Sequence, residues 1–222
     1  MGFVESMVRT IAQDVLGETT VSFGEHQVDL GKPWQQITMR DAIKKYAEID
    51  YMDFTTADDL GAKMRRHGMD APKEAWGQLI DRLFGDFVEP NLIQPTFITD
   101  YPREISPLAK RIPGDDFHVE RFEYFIAGME MGNAFTELND PLDQQARFEE
   151  MQELYASDAD EAHPIDWDYL QAMRYGMPPN GGFGTGIDRL TMLLTNKQSI
   201  REVLLFPHLR ERDDNSSESD ES

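Results

Sequence analysis

The sequence predicts an α+β protein in which an antiparallel β-sheet is flanked by helices. Helix-like and strand-like segments alternate without a regular strand–helix–strand rhythm, which argues against a doubly wound parallel sheet. Two extended runs follow each other directly in VERFEYFIAGMEMGNAFTEL, residues 119–138, as expected for an antiparallel hairpin. Hydrophobic residues make up 40% of the 222 residues, which is enough apolar surface for a sizeable core.

In the first half of the chain, apolar spacing and capping residues predict the elements. Residues 3–16 place apolar side chains at three- and four-residue steps and are followed by Gly17, a typical helix C-terminus. The segments TTVSF and HQVDL flank a Gly-Glu pair and predict a short hairpin. Further helices are predicted from Thr38, from Thr56 to Arg66 and from Pro72 to Val88.

In the second half, strands and helices are predicted in turn. PTFITDY, residues 95–101, has the composition of a strand, and PREISPLAKR after it is predicted to be a loop. Asp140 and Asp166 are suitable N-caps for two helices. A glycine-rich stretch leads into the apolar helix IDRLTMLLT, and EVLLF, residues 202–206, is predicted to be a strand.

The composition excludes several classes of protein. Asp and Glu number 42 against 21 Lys and Arg. The resulting net charge of -21 disfavours nucleic-acid binding through a broad basic surface. The chain has no Cys, so disulfide scaffolds, thiol nucleophiles and Cys-ligated zinc are excluded. Neither a signal peptide nor an apolar run near ~18 residues is present. We therefore expect a cytoplasmic protein without a membrane segment.

The chain is predicted to contain one folded unit and a tail. Residues 211–222, ERDDNSSESDES, contain six acidic residues, one Arg and no apolar residue, a composition that cannot offset the entropy of ordering. They are predicted to form a disordered acidic Ser-rich tail. Residues 1–210 form the folded unit, and they remain strongly acidic without the tail.

A glycine-rich block forms the first candidate site. Gly182, Gly184 and Gly186 let the backbone approach a flat or anionic ligand, and Arg189 follows in the first turn of a helix. The spacing fits neither a Walker phosphate loop nor a dinucleotide fingerprint. Two interpretations stay open: a nucleotide site in which Arg189 stacks on a base or binds a phosphate, and a tight turn with a surface Asp-Arg pair.

Two carboxylates form the second candidate site. Glu123 and Glu130 are seven residues apart, which places them on opposite faces of a single strand. A two-residue turn at 127–128 pairs residue 126 with 129 and 123 with 132, and thereby brings both carboxylates to one face. Such a pair suits a Mg²⁺ ion that also holds nucleotide phosphates. The alternative is a solvent-exposed acidic face without a ligand.

Two more polar residues of the second predicted strand are expected on the opposite face of the sheet. Asn133 and Glu137 are an odd number of positions from Glu130, so they can join it only if the strand contains a bulge. Gly132 is the expected position of that bulge.

Three segments together resemble class II lysyl-tRNA synthetases, in the C-terminal part of the catalytic domain. They are PTFITDYPREISPLAKR, FEYFIAGMEMGNAFTELNDPLDQQARFEE and GGFGTGIDRLTMLLT, in this order. The resemblance covers nearly all of residues 1–210. GTGIDR is similar to the third signature motif of class II, which marks the class alone. NAFTELND together with PTFITDYP is more specific and resembles the lysine enzyme.

The resemblance implies ATP-dependent activation of lysine to lysyl-adenylate and transfer to tRNA(Lys) by a Mg²⁺-dependent homodimer. It implies that Glu123 and Glu130 hold Mg²⁺ and the ATP phosphates. It implies three lysine ligands: Asn133 for the carboxylate, Phe135 for the aliphatic stem and Glu137 for the ammonium. The remaining implied ATP contacts are Gly182, Gly184, Gly186 and Arg189, with Arg189 over the adenine, and Arg189 and Glu130 carry the implied catalytic role.

A complete enzyme of this family has parts that this sequence does not show. The anticodon-binding barrel and the first and second signature motifs of a complete enzyme are not recognisable, so the chain is expected to be a fragment with negligible aminoacylation by itself. Two other hypotheses stay open. One is a non-catalytic synthetase paralogue that acts as a regulatory or scaffold subunit, and the other is a free-standing lysine- or nucleotide-binding module.

Overall fold

The computed structural model describes residues 1–154 and 164–207. The tail predicted for 211–222 lies outside the described residues. The helices are α1 Gly2–Leu16, α2 Met39–Ala47, α3 Ala57–Arg66, α4 Trp76–Leu83, α5 Pro141–Leu154, α6 Trp167–Arg174 and α7 Ile187–Thr195. The strands are β1 Thr20–Phe23, β2 His26–Asp29, β3 Gln35–Thr38, β4 Thr96–Pro102, β5 His118–Ile126, β6 Met129–Thr136 and β7 Gly181–Thr185.

A five-stranded sheet in the order β3-β4-β5-β6-β7 forms the centre of the fold. Only the β3–β4 pair in it is parallel, and the other three pairs are antiparallel. Ile98 and Phe125 lie in one buried cluster, with the apolar sides of α2, α3 and α4. Phe97 and Tyr124 lie in a second cluster, with α1, the β1–β2 hairpin and α7. The predicted α+β class with a largely antiparallel sheet is therefore confirmed.

Most predicted helix and hairpin boundaries are confirmed by local hydrogen bonds. The first helix ends at Gly17, whose φ of 79° is the left-handed value that glycine adopts at helix ends. The side chains of Thr38 and Thr56 accept hydrogen bonds from the backbone N–H of Asp41 and Asp59. Asp140 and Asp166 cap α5 and α6 in the same way, and β1 pairs with β2 as predicted.

The helix predicted from Pro72 to Val88 is shorter at its start and irregular at its end. It begins at Trp76, because the backbone N–H of Ala75 is bonded to the Gln78 side chain in a cap. The last predicted residues form a π-helical turn at Phe84–Val88, and a 3-10 turn at Glu89–Asn91 follows. Pro90 is tolerated there because the first N–H groups of a helical turn have no partner within it.

The strand predicted for EVLLF, residues 202–206, is wrong. Ile200–Glu202 is a 3-10 turn, and Val203 and Leu204 donate hydrogen bonds back to Ile200. An extended segment becomes a strand only when a neighbouring strand takes its backbone hydrogen bonds, and no strand in the described part of the chain pairs with these residues. Leu205 and Phe206 are therefore almost fully exposed. Among residues 1–154 and 164–207, no helix is both long and apolar enough to cross a membrane.

Candidate functional site

The register of the β5–β6 hairpin determines which residues share a face. Ile126 pairs with Met129 and Phe125 with Glu130, as the two-residue turn predicts. The register then shifts, so that Glu123 lies opposite Asn133 and the predicted pairing of residue 123 with 132 is wrong. The extra residue is Met131, so the predicted bulge exists one position before the expected one.

The bulge has a packing reason. Met131 is buried in the cluster with α1 and α7, on the other side of the sheet from Phe125. Gly132 then lies against the Tyr124 ring, where a Cβ atom would come within 2.5 Å of a ring carbon. Because Met131 is the extra residue, Asn133 lies on the same face as Glu123 and Glu130.

Glu123 is held by two donors and is mostly buried. Its Oε1 accepts a hydrogen bond of 2.5 Å from Arg121 Nη2, and its Oε2 accepts one of 2.8 Å from the Tyr101 hydroxyl. Burial raises the pKa of Glu123, and the negative charge of Glu130 adds to this, while Arg121 and Tyr101 act in the opposite direction. The two predicted metal-binding carboxylates are therefore close enough to influence each other.

Arg121 is a site residue that the sequence analysis missed. It lies two positions before Glu123 on β5 and donates from Nε to Asn133 Oδ1 at 3.1 Å. Its Nη1 donates to the Ser106 hydroxyl at 2.8 Å and to the Ile105 carbonyl at 3.0 Å. The signal in the sequence is a lone cation on the same strand face as Glu123, because same-face residues are two positions apart.

Arg189 and Glu130 form an ion pair across the glycine-rich segment. Arg189 Nη1 lies 3.2 Å from Glu130 Oε2 and also donates to the Glu130 carbonyl at 2.5 Å. The glycine-rich stretch is itself a strand, β7, whose Gly184 lies opposite Asn133 and whose Gly182 lies opposite Phe135. The predicted nucleotide block and the predicted carboxylate face thus meet at the β6–β7 pair.

Most of the predicted site residues line one cavity of about 480 Å³. It is lined by Glu130, Asn133, Phe135 and Arg189 together with the three predicted glycines, Gly182, Gly184 and Gly186. The Gly186 N–H donates to the Met131 carbonyl at 2.8 Å, which attaches the start of α7 to the bulge.

A second cavity of about 480 Å³ lies beyond Phe135, which lines both. Its other described lining residues include Phe148, Met151 and Tyr169, so it is mostly apolar, and it contains two carboxylates, Glu137 and Asp166. Burial raises the pKa of Glu137. The structure therefore places the three predicted lysine ligands in a row, with Asn133 in the first cavity, Phe135 between the cavities and Glu137 in the second.

Two further carboxylates near Glu130 were not predicted. Asp81 and Glu89 come from α4 and the turn after it, and burial is the largest cause that raises the pKa of each. Asp81 is accessible to solvent, but enough protein surrounds its carboxyl to disfavour the charged form. In the described part of the chain, no three His, Cys, Asp or Glu side chains are grouped to hold a metal ion.

Comparison with known proteins gives one family and a consistent set of relatives. The family model of class II tRNA synthetases (D, K and N) matches residues 1–210. The chain is 50% identical to the lysine–tRNA ligase of Dehalococcoides mccartyi strain BAV1, over 98% of the chain and 44% of that protein. It is 51% identical to the lysine–tRNA ligase of Chloroflexus aurantiacus, over 96% and 44% of the two chains.

A more distant relative gives the same result. The lysine–tRNA ligase of Bacillus subtilis strain 168 is 48% identical over 96% of the chain and 43% of that protein. The chain thus spans less than half the length of the relatives it matches. Because the family match covers almost all of the chain and agrees with the sheet and the glycine-rich strand, the chain belongs to the class II tRNA synthetases of the D, K and N group.

Proposed function

We propose that this chain carries the lysine- and ATP-binding half of a lysyl-tRNA synthetase. The complete enzyme activates lysine with ATP to lysyl-adenylate and transfers the lysyl group to tRNA(Lys). The observation that carries the proposal is the bulge at Met131, which brings Asn133 onto the face that Glu123 and Glu130 share, next to Arg189. The relatives named above are lysine–tRNA ligases, which supports the choice of lysine.

The amino-acid site is proposed to run along Asn133, Phe135 and Glu137. A lysine side chain is an apolar stem with a terminal ammonium, and Phe135 between two cavities offers an aromatic surface for that stem. Glu137 in the second, mostly apolar cavity offers a partner for the ammonium. An acid in such surroundings selects a terminal cation, because a neutral or shorter side chain would leave it unpaired.

The donor set around Glu123 and Glu130 fits Mg²⁺. Carboxylate oxygens are ligands that Mg²⁺ prefers, and Mg²⁺ is usually held by one or two carboxylates together with substrate phosphates. The negative charge of Glu130 contributes to the raised pKa of Glu123, and a nearby cation would offset this repulsion. When bound, Mg²⁺ would offset charge on the triphosphate. Arg189 at the start of α7 would hold the nucleotide, in contact with its base or a phosphate.

The chemistry follows from holding two substrates in contact. A carboxylate oxygen of lysine attacks the α-phosphorus of ATP, the bond from that phosphorus to the bridging oxygen breaks, and pyrophosphate leaves with the electron pair. The proposed roles of Asn133 and Glu137 are to bind the two ends of lysine, and the role of Arg189 is to place the nucleotide. Rate enhancement then comes mainly from orientation and fixed charges.

The remaining parts of the proposal concern the complete enzyme. By family resemblance it is a cytoplasmic homodimer that binds tRNA(Lys), with the anticodon contacts made by parts outside this chain. Residues 1–210 are its folded portion and 211–222 an acidic tail. The isolated chain is expected to show negligible lysine-dependent exchange of pyrophosphate into ATP.

A chimera tests the proposed function. Residues 1–210 replace the matching portion of the Bacillus subtilis relative, and lysine-dependent ATP–pyrophosphate exchange is measured. We expect exchange with lysine and none with aspartate or asparagine. The same chimera with Arg189→Ala serves as the control and is expected to lose about a hundredfold in rate. A folded chimera without lysine-dependent exchange would support the non-catalytic paralogue instead.

A further inference from the structure

Arg121 is held firmly beside the site. Its guanidinium donates four hydrogen bonds, to Asn133, Glu123, Ser106 and the Ile105 carbonyl. The Tyr101 ring lies 4.6 Å from the centre of the guanidinium group and adds a cation–π contact. The side chain is only 18% exposed. Its position is therefore fixed from several directions, and groups bonded to it are fixed as well.

The contact with Arg121 determines how the Asn133 amide is turned. A guanidinium has only donors, so the atom of Asn133 that faces it has to be the carbonyl oxygen. The NH₂ group must then point away from Arg121. No hydrogen bond to that nitrogen is found among residues 1–154 and 164–207, and Asn133 lines the first cavity. The cavity thus receives a neutral group with two N–H donors.

The same guanidinium also neutralises the carboxylate beside this amide. Glu123 lies directly opposite Asn133 in the sheet, and a free negative charge at that point would repel an anionic ligand. Arg121 Nη2 bonds to Glu123 Oε1 and offsets this charge. One residue therefore turns the amide donors and reduces the repulsion, and both effects favour a carboxylate ligand.

We propose that Arg121 is the positioning residue that makes the amino-acid site recognise the α-carboxylate of its substrate, through the orientation of Asn133. The inference rests on the proposed lysine site and adds to it a residue that does not itself contact lysine. It predicts that the site distinguishes lysine from 1,5-diaminopentane, which has the same amine-bearing chain without the carboxylate, and that this distinction depends on Arg121.

The test measures both ligands on the same variants. The purified 222-residue chain is titrated with lysine and with 1,5-diaminopentane. The dissociation constant of each ligand is measured by ligand-observed NMR, which reaches the millimolar range. We expect the unaltered chain to prefer lysine by about tenfold or more, the change that hydrogen bonds to a charged group produce. Arg121→Met is expected to remove this preference and to leave the affinity for the diamine within about twofold.

A second variant keeps the test informative if Arg121→Met fails to fold. Asn133→Asp has nearly the same shape and keeps an oxygen for Arg121, but it presents a carboxylate in place of the NH₂ donors. It is expected to lose the preference for lysine in the same way. The matched control is Arg40→Met, because Arg40 on α2 also donates to a carboxylate, with two hydrogen bonds to Asp50, and lies away from both cavities.

The outcomes separate this inference from the proposed function. If the unaltered chain prefers lysine and Arg121→Met weakens both ligands equally, Arg121 is only structural and the inference is wrong. The inference is also wrong if Asn133→Asp keeps the full preference. If the unaltered chain binds neither ligand, or both equally, the lysine site itself is wrong and the inference fails with it.

Discussion

Arg189 and Glu130, the two residues predicted to act on ATP, are bonded to each other, with 3.2 Å between Nη1 and Oε2. Their side chains are 46% and 39% exposed, so the pair is worth only about 0–1 kcal/mol. A ligand can therefore separate them at little cost in free energy. A nucleotide with its metal ion would gain a cation from one partner and a carboxylate from the other.

Arg189→Ala is expected to weaken ATP binding by about tenfold or more, because the loss includes a contact with a charged ligand. Thermal stability should hardly change, because an exposed pair contributes little. Titration with ATP and a thermal melt check the two parts. Lys197→Ala is the matched control, since Lys197 pairs with Glu202 at 3.2 Å and lies outside the cavity. Equal losses of ATP affinity in both variants would contradict the assignment.

Glu137→Gln is expected to reduce lysine affinity by about tenfold or more while leaving norleucine, which lacks the ammonium, unaffected or slightly favoured. The amide keeps the shape of the acid but carries no charge for the ammonium. Competition binding with the two amino acids measures the difference. If Glu137→Gln lowers the affinity for lysine and for norleucine by the same factor, Glu137 does not bind the side-chain ammonium of lysine.

The pH dependence of stability should report Glu137 as well. Burial raises the pKa of Glu137 in the folded chain above its ordinary value of 4.5, which applies to the unfolded chain. Between the pKa of Glu137 in the unfolded chain and its higher pKa in the folded chain, the folded state binds more protons than the unfolded state. The free energy of unfolding therefore falls as pH rises through that range. The stability that protonated Glu137 contributes is fully present below pH 4.5 and is lost above the pKa of the folded state. Urea titrations from pH 4 to 7 should therefore show a smaller decline in Glu137→Gln than in the unaltered chain.

Gly182→Ala tests the position of Glu137 from the neighbouring strand. A Cβ atom on residue 182 would lie 2.5 Å from Glu137 Oε1, so the carboxylate has to move. Because that contact is with the end of a flexible side chain, we expect a stability change within about 0.5 kcal/mol and a clear loss of lysine affinity. Calorimetry with lysine and a melting curve measure the two effects. Full lysine affinity in this variant would show that the Glu137 position is unimportant.

Gly132→Ala should disturb the bulge and destabilise the fold by about 1–3 kcal/mol, the range for inserting a carbon into a packed region. The new methyl group would meet the Tyr124 ring and the Gly184 carbonyl. Gly85→Ala is the control, because a Cβ there meets nothing within 4 Å in its helical turn. It is expected to be neutral or slightly stabilising. Urea unfolding of both variants provides the comparison.

Local signals in the sequence determined the helix caps, the two tight turns and the glycine-rich approach to α7. These features depend on neighbours within a few residues: Thr38 and Asp166 cap the helices that follow them, and Gly17 adopts a left-handed angle at a helix end. The motifs around Asn133 and Arg189 also sufficed to identify the resemblance to lysyl-tRNA synthetases, which the family match and the lysine–tRNA ligase relatives bear out.

The tertiary structure alone decided the position of the bulge, the role of Arg121 and the absence of a strand at 202–206. Met131 and not Gly132 is the extra residue, because its side chain fills the core beside α1 and α7. Arg121 gains its importance from partners that lie 12 to 16 residues away in sequence, in addition to Glu123. Side-chain packing and pairing with distant strands leave no local signal in a sequence, so their outcome becomes visible only when the chain is folded.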